Sequence, residues 1–439
     1  MKRAFCILFS CALLTAQLPN AAAEAPKIAE IYASADVQAS DSENTGTTFS
    51  ATVRYVFEDG TYKELSIRDS ESRETARPAG EAEPESPGFV RIYPQEEENM
   101  SDPTSAPRDD SAALTYDEGV DTEITISGYT PYSGEGAPGF LTAGDKVAVI
   151  SPSALSGQEQ AEATAEGLRA WGYEPVLGKY ACAEQRTLEE CMEDLRWALE
   201  DPEIKAIFCI RGGYGATEVM DALTDDVIAA AKKPIIGYSD ITAYHAGWTC
   251  AGVPSVHASM SAAFSDFPEA CAEAEQRMLR GEVPTYQCAS DALCRTGTAE
   301  GILVGGNLST FAALLDSDYD STKLDQPYIL FLEEVGENMQ HIHRYLTILK
   351  HSGVLDRAAG VIFGEWTVLP SDGMGNYGAA RGGKFASVAD MITRQFLADA
   401  KIPVAFGFPA GHGESNYPLL MGAPVKLDVT EESYTLSWQ

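Results

Sequence analysis

The chain has 439 residues, 44% of them hydrophobic, and carries 66 acidic against 31 basic side chains for a formal net charge of −35. That length can bury more than one core at roughly 100–150 residues per domain, and that charge excludes nucleic acid as a partner held by the overall field. After the first 23 residues, no stretch has the roughly 20 consecutive apolar residues of a membrane-spanning helix.

Lys2 and Arg3, the apolar run from Ala4 to Leu18 and then Ala21-Ala22-Ala23 read as a cleavable secretory signal over residues 1–23. The run is too short to span a bilayer, and it continues past Cys11 through Leu13 and Leu14, which weighs against lipid attachment there. The protein is therefore expected to be exported. Residues 24–137 follow as an acidic extension with 25 acidic and 8 basic side chains, read as a solvated segment that aids solubility. Within it, Thr48–Phe57 and Tyr62–Ile67 flank Glu58-Asp59-Gly60, and an Asp-Gly between β-rich runs predicts a hairpin. Gln95 to Asp110 has the composition of a disordered linker.

From Gly144 short β-rich runs alternate with helical patterns. Strands are expected over Lys146–Ile150, Glu174–Leu177, Ala206–Ile210 and Pro234–Tyr238, with helices over Gln158–Trp171 and Thr187–Leu199. That rhythm predicts an α/β domain over residues 138–290, a parallel sheet with covering helices, whose functional groups gather at the carboxyl ends of its strands. Residues 291–439 read as a second, mixed α/β domain. Its apolar runs are Tyr328–Leu332, Gly360–Phe363, Val404–Phe408 and Val425–Val429, and its helical patterns are Gln340–His351 and Ser387–Leu397. The glycine-rich stretch between Thr367 and Lys384 reads as a surface loop.

Seven cysteines follow residue 23. Cys182 with Cys191, and Cys288 with Cys294, are near enough in sequence to be candidate disulfides in an exported protein, while Cys209 sits in an apolar run and reads as a buried thiol. No Cys-x-x-Cys spacing occurs, so no zinc site is read.

The sharpest local feature is Pro234-Ile235-Ile236-Gly237-Tyr238-Ser239-Asp240, a buried strand running into Gly-x-Ser and then a helix. In that context a tight turn lifts a serine hydroxyl above a sheet. Taken alone, the segment fits a helix cap by Ser239 or Asp240 more readily. A nucleophilic serine needs a base, and the base needs an acid. Among six histidines, His412 stands out in Gly411-His412-Gly413, just after a predicted strand, where flanking glycines let the backbone bend into a site. His341 and His343 lie two apart on a helical pattern and face different ways, His257 sits in an apolar run, and His351 lies at a helix end. The apolar run Tyr328–Leu332 leads into Glu333-Glu334, either an orienting carboxylate or two solvated charges. Arg211-Gly212-Gly213-Tyr214-Gly215 follows another strand. A glycine turn of this kind presents backbone N–H groups to phosphate or to an oxyanion, and the G-x-G-x-x-G spacing of a dinucleotide site is absent.

Together these segments resemble the L,D-carboxypeptidase family of serine peptidases, which includes muropeptide L,D-carboxypeptidases and microcin C immunity peptidases. The resemblance runs from Gly144 to the C-terminus through Ser151-Pro152-Ser153, the Arg211–Gly215 turn, Gly237-Tyr238-Ser239-Asp240, Gly305-Gly306-Asn307-Leu308-Ser309, Phe331-Leu332-Glu333-Glu334 and Gly411-His412. It implies Ser239 as nucleophile, His412 as general base, Glu333 as the acid that orients it, and the N–H groups of Gly213 and Asp240 as the oxyanion hole. It further implies a site between two domains, no metal or other cofactor, a homodimer, and hydrolysis of the amide before a terminal D-alanine in cell-wall tetrapeptides. An exported member would meet those peptides in the periplasm. The chain departs from the family's pattern at Glu218, where an arginine is usual, at Gln340 and His343, and at Ala258-Ser259 after His257. Peptide-nucleotide or other modified peptides are the alternative substrates, and an exported peptide-binding protein without activity is the alternative class.

Overall fold

The computed structural model describes residues 123–439, apart from 135–136, 138, 261–266, 369–384 and 386, together with the backbone of six strands between Ile28 and Tyr116. The expected signal, the linker from Gln95 to Asp110 and nearly all of the glycine-rich loop lie outside the described residues. The chain divides into two compact units, residues 1–105 and 106–439. The first holds a five-stranded sheet built from β1 (Ile28–Ala39), β2 (Thr47–Phe57), β3 (Tyr62–Arg68), β4 (Glu71–Arg77) and β5 (Val90–Arg91), in the order β4-β3-β2-β1-β5. β2 and β3 pair antiparallel from Ser50 opposite Arg68 to Val56 opposite Tyr62, as the Asp59-Gly60 signal predicts.

The second unit carries two sheets. β6 (Thr115–Tyr116) and β7 (Ile124–Pro131) lead into β8 (Lys146–Ile150), α1 (Gln158–Ala170), β9 (Glu174–Leu177), α2 (Leu188–Glu200), β10 (Ile204–Cys209), α3 (Ala216–Met220), α4 (Asp225–Ala231), β11 (Ile235–Gly237), α5 (Thr242–Cys250) and β12 (Ser255–His257). Strands β9, β8, β10, β11 and β12 lie side by side and parallel, with the late strand β18 (Leu419–Met421) antiparallel at the edge. A parallel sheet is covered on both faces, and β10 shows it residue by residue. Ala206 and Phe208 join one core while Ile204, Ile207 and Cys209 join the other. α1 buries Ala161, Thr164, Ala165 and Leu168, the spacing of one helical face. At the start of α2, the Thr187 hydroxyl accepts from the Glu190 N–H at 3.2 Å, and the Glu190 carboxylate accepts from the Thr187 N–H at 2.8 Å.

The other sheet combines parallel and antiparallel halves. β14 (Gly297–Asn307), β15 (Tyr328–Glu337), β16 (Gly360–Val368) and β17 (Val404–Ala405) run parallel, while β19 (Pro424–Val429), β20 (Ser433–Trp438), β13 (Glu282–Ala289) and β7 continue from β14 antiparallel. Sheet membership follows space rather than sequence: β7, from the acidic extension, pairs along β13. Of the expected strand Val404–Phe408 only Val404 and Ala405 form a strand, paired parallel with β16, although the Phe408 N–H also donates to the Phe363 carbonyl at 3.0 Å. The expected helix Ser387–Leu397 is a short α-turn, Val388–Met391, followed by a π-helical turn over Ile392–Phe396.

The expected disulfides do not form, because all seven cysteines after residue 23 are free thiols. Their environments explain it. Cys191 lies on α2 with its Sγ 3.9 Å from the Ser151 carbonyl, and Cys294 Sγ accepts from the Phe406 N–H at 3.4 Å. Cys288 is inside the main core.

Candidate active site

Ser239 follows β11 at the carboxyl end of the parallel sheet, in a 3-10 turn that leads into α5. Its φ is +65°, a left-handed conformation that a serine rarely adopts. The cap reading fails here, for neither Ser239 nor Asp240 caps the helix after it: the capping position is Tyr238 for the 3-10 turn and Ile241 for α5, each with no side-chain bond. The Asp240 carboxylate instead accepts from the N–H of Ala216, the first residue of α3. Gly212 lies against this turn. A Cβ on Gly212 would stand 2.8 Å from Ser239 Cβ and 3.1 Å from both Ser239 Oγ and the Asp240 N–H, so only glycine lets the two loops approach. Gly213 follows at φ +105° and is exposed.

The alternation of β15 decides between the two adjacent glutamates. Ile329 and Phe331 belong to the core that also contains Phe208 and Ile236 of the parallel sheet, whereas Tyr328, Leu330 and Leu332 belong to the core beneath α8 (Met339–His351). Side chains two apart share a face, so Glu333 follows Phe331 toward the parallel sheet and Glu334 turns the other way. Both are fully buried, which corrects the reading of solvated strand-end charges. The strand also runs on to Glu337 instead of stopping before them.

Glu333 Oε2 meets His412 Nδ1 at 2.8 Å. The histidine loop is shaped for this contact. Gly411 has φ +131°, its N–H donates to Asn416 Oδ1 at 3.0 Å, and a Cβ there would lie 2.9 Å from Glu333 Oε2. The His412 side chain is 16% exposed, and its ring centroid lies 4.7 Å from that of Tyr238, the residue before Ser239. The imidazole thus stands beside the serine turn. Burial lowers its proton affinity, but the carboxylates of Glu333, Glu334 and Glu365 outweigh that, and its pKa is raised above the ordinary histidine value.

Glu334 has a different part. Its Oε1 accepts from Asn307 Nδ2 at 2.8 Å and its Oε2 from the Ser309 N–H at 2.8 Å. Asn307 caps the helix Leu308–Ala313, and its own N–H donates to Thr242 Oγ1 at 2.9 Å, tying the start of α5 to the end of β14. Burial pushes Glu334 up to about 7. Sequence reasoning noted the Asn307 motif without giving it a task, and it missed Thr242, Asn416 and Glu365. Glu365 lies on the neighbouring strand β16, donates its N–H to the Ala410 carbonyl at 3.1 Å, and is pushed up to about 7 by burial.

The remaining histidines serve the core or the surface. His257 is buried between Tyr238 and Phe331. His245 is held by Ser255 Oγ at 2.8 Å and the Gly237 carbonyl at 2.9 Å. His341 on α8 pairs with Glu337 at the end of β15 at 2.5 Å, and His343 lies against Phe396. No cluster of three or more metal-ligating side chains occurs among the described residues.

An imidazole whose Nδ1 is engaged by a buried carboxylate keeps its Nε2 for proton transfer, and beside it the fold raises a serine on a strained elbow against a glycine turn. This is the working arrangement of serine-type hydrolases. Residues 147–258 match the LD-carboxypeptidase N-terminal domain and residues 300–427 the LD-carboxypeptidase C-terminal domain. A putative carboxypeptidase of Streptomyces coelicolor is 30% identical over 310 residues, covering 68% of this chain and 95% of its own. The murein tetrapeptide carboxypeptidase of Pseudomonas aeruginosa is 27% identical over 289 residues, covering 62% and 89%. The crystal structure of muramoyltetrapeptide carboxypeptidase from Oxalobacter formigenes shares the fold, with a TM-score of 0.58 at 22% identity over 66% of this chain and 97% of that one. The chain belongs to the LD-carboxypeptidase family and is a serine-type, carboxypeptidase-like hydrolase.

Proposed function

We propose that the protein releases the terminal D-alanine from cell-wall tetrapeptides through an acyl-enzyme on Ser239. The observation that carries this reading is the Glu333–His412 pair at 2.8 Å beside Tyr238 of the serine turn. Glu333 holds the His412 Nδ1–H, so Nε2 takes the proton of Ser239 Oγ as the hydroxyl attacks the scissile carbonyl. The N–H groups of Gly213 and Asp240 bind the oxyanion that forms. Collapse of the tetrahedral intermediate breaks the amide, and His412 gives its proton to the departing D-alanine amine. Water then attacks the ester, His412 again acting as base, and the shortened peptide leaves with Ser239 restored. Membership of the family and the likeness to a murein tetrapeptide carboxypeptidase support the substrate class. The predicted signal over residues 1–23 supports action outside the inner membrane, and the resemblance supports a homodimer.

The test is release of D-alanine from a defined tetrapeptide muropeptide by the wild type and by Ser239→Ala. The variant should lose at least about 10³-fold in kcat. Undiminished release would remove Ser239 from its role, and a wild type that cleaves a peptide-nucleotide conjugate but not the muropeptide would replace the substrate.

A further inference from the structure

Resting on that reading of the site, we infer that the Asp240 side chain, through Ser153 and Ala216, is the positioning group of the oxyanion hole. The proposed hole takes its two donors from different loops, the glycine turn after β10 and the serine turn after β11. The ladder between those two strands ends at Phe208 and Ile236, so strand pairing does not tie the two loops to each other. Asp240 supplies the missing tie. Its Oδ2 accepts from Ala216 N–H at 2.9 Å, just past the glycine turn, and from Ser153 Oγ at 2.5 Å, on the loop after β8. Ala154, next to Ser153, returns the connection by donating its N–H to the Gly212 carbonyl at 3.1 Å. The glycine turn is therefore gripped on both sides, at Gly212 through Ala154 and at Ala216 through Asp240.

The Ser153 loop is itself held firmly. Arg186 donates to the carbonyls of Ser151 and Ser153, the latter at 2.7 Å, and Tyr244 OH donates to the Pro152 carbonyl at 2.5 Å. Three strand ends thus converge on one carboxylate that is 7% exposed, with a serine at 7% as its partner. Burial raises the pKa of Asp240, and its two donors oppose that rise; a buried carboxyl oxygen that lost them would be left unpaired. An acceptor in this place sets the distance between the Gly213 and Asp240 N–H groups, and a hole that is loose by a fraction of an ångström loses transition-state stabilisation before it loses substrate.

The experiment reads the rate at which a fluorophosphonate labels Ser239 in the full chain, alongside kcat and KM for D-alanine release. In the labelling step, Ser239 Oγ bonds to phosphorus, fluoride leaves, and the hydroxyl proton passes to His412, so the oxyanion hole is used without any assumption about the peptide. Asp240→Ala should lower the labelling rate and kcat together by about 10–100-fold, with KM within about threefold. Asp240→Asn, whose amide oxygen still accepts, should recover to within about twofold of wild type, and Ser153→Ala should fall by about 3–10-fold. If Asp240→Ala does not fold, the other two variants decide. Rates within twofold of wild type for Ser153→Ala or Asp240→Ala, a change confined to KM, or an Asp240→Asn no faster than Ser153→Ala would overturn the inference. A wild type labelled elsewhere than Ser239 would overturn the reading of the site, and this inference with it.

Discussion

At His412 two opposing effects set the proton affinity: burial favours the neutral ring, and the carboxylates around it, Glu333 foremost, favour the cation more strongly. A general base, the role proposed for His412, must be neutral to work. kcat/KM should therefore fall as pH drops through a pKa above the ordinary histidine value of about 6.5. Glu333→Gln removes the main raising charge, so the acid limb of the profile should move to lower pH while the rate drops by about 10³-fold or more; an unmoved limb would assign that pKa to another group. Asn416 is fully buried and its Oδ1 holds the Gly411 N–H. Asn416→Ala should free the histidine loop and cost about 1–3 kcal/mol in denaturant unfolding. Residue identity at these positions was only partly legible. His412 was singled out by its flanking glycines, but Asn416 and Asp240 act through side-chain bonds to loops 5 and 24 residues away, and no local pattern encodes such a partner.

Elements decide where those residues point. In β15 the two-residue period of a strand sends Glu333 to His412 and Glu334 to Asn307, so one dipeptide supplies both a carboxylate of the candidate site and a structural lock. The lock closes the gap between α5 and β14 through Thr242. Asn307→Ala would remove a helix cap and leave Glu334 short of a donor, and should cost about 2–4 kcal/mol by urea unfolding. Phe331 is fully buried on the face Glu333 shares, against His257 and Phe408. Phe331→Ala should cost about 3–5 kcal/mol, with activity lost through unfolding rather than through chemistry; a well-folded but inactive variant would contradict that division. Element type was legible where the hydrophobic period was long and clean, as in β8, α1, β9 and α2, each matching expectation within a residue or so. It was less so at Ile392–Phe396, where a π-helical turn has the same apolar pattern as an α-helix.

Over the whole molecule, buried acid runs through the fold as well as over the surface. Glu275, on the helix Glu269–Leu279, is 1% exposed. Burial raises its pKa well above the ordinary value. A raised pKa in the folded state means that the native protein binds the proton the unfolded chain releases. The stability this contributes is full below the unfolded value, about 4.5, and is lost as pH rises beyond it. Glu334 and Glu365, each pushed up to about 7, act in the same direction between about pH 4.5 and 7. Glu275→Gln should therefore raise Tm at pH 8 more than at pH 5; an equal effect at both would mean that folding does not raise the pKa of this carboxyl. Residues 106–439 contain all three hydrophobic clusters, so a fragment of that span should melt in one cooperative transition followed by circular dichroism.

From the sequence alone came the α/β class, the parallel sheet, the hairpin of the first unit and the short set of residues proposed for acyl-transfer chemistry, because hydrophobic period and glycine placement are local and a one-dimensional chain records them. The tertiary structure set Glu333 rather than Glu334 against His412, as the resemblance had implied but local pattern could not, and it decided that Asp240 ties neighbouring loops instead of capping its own helix, that the seven thiols stay free, and that β18 completes the parallel sheet. Each of those depends on which distant segments a strand or loop lies beside, and pairing between segments is settled by packing in three dimensions rather than by pattern along one.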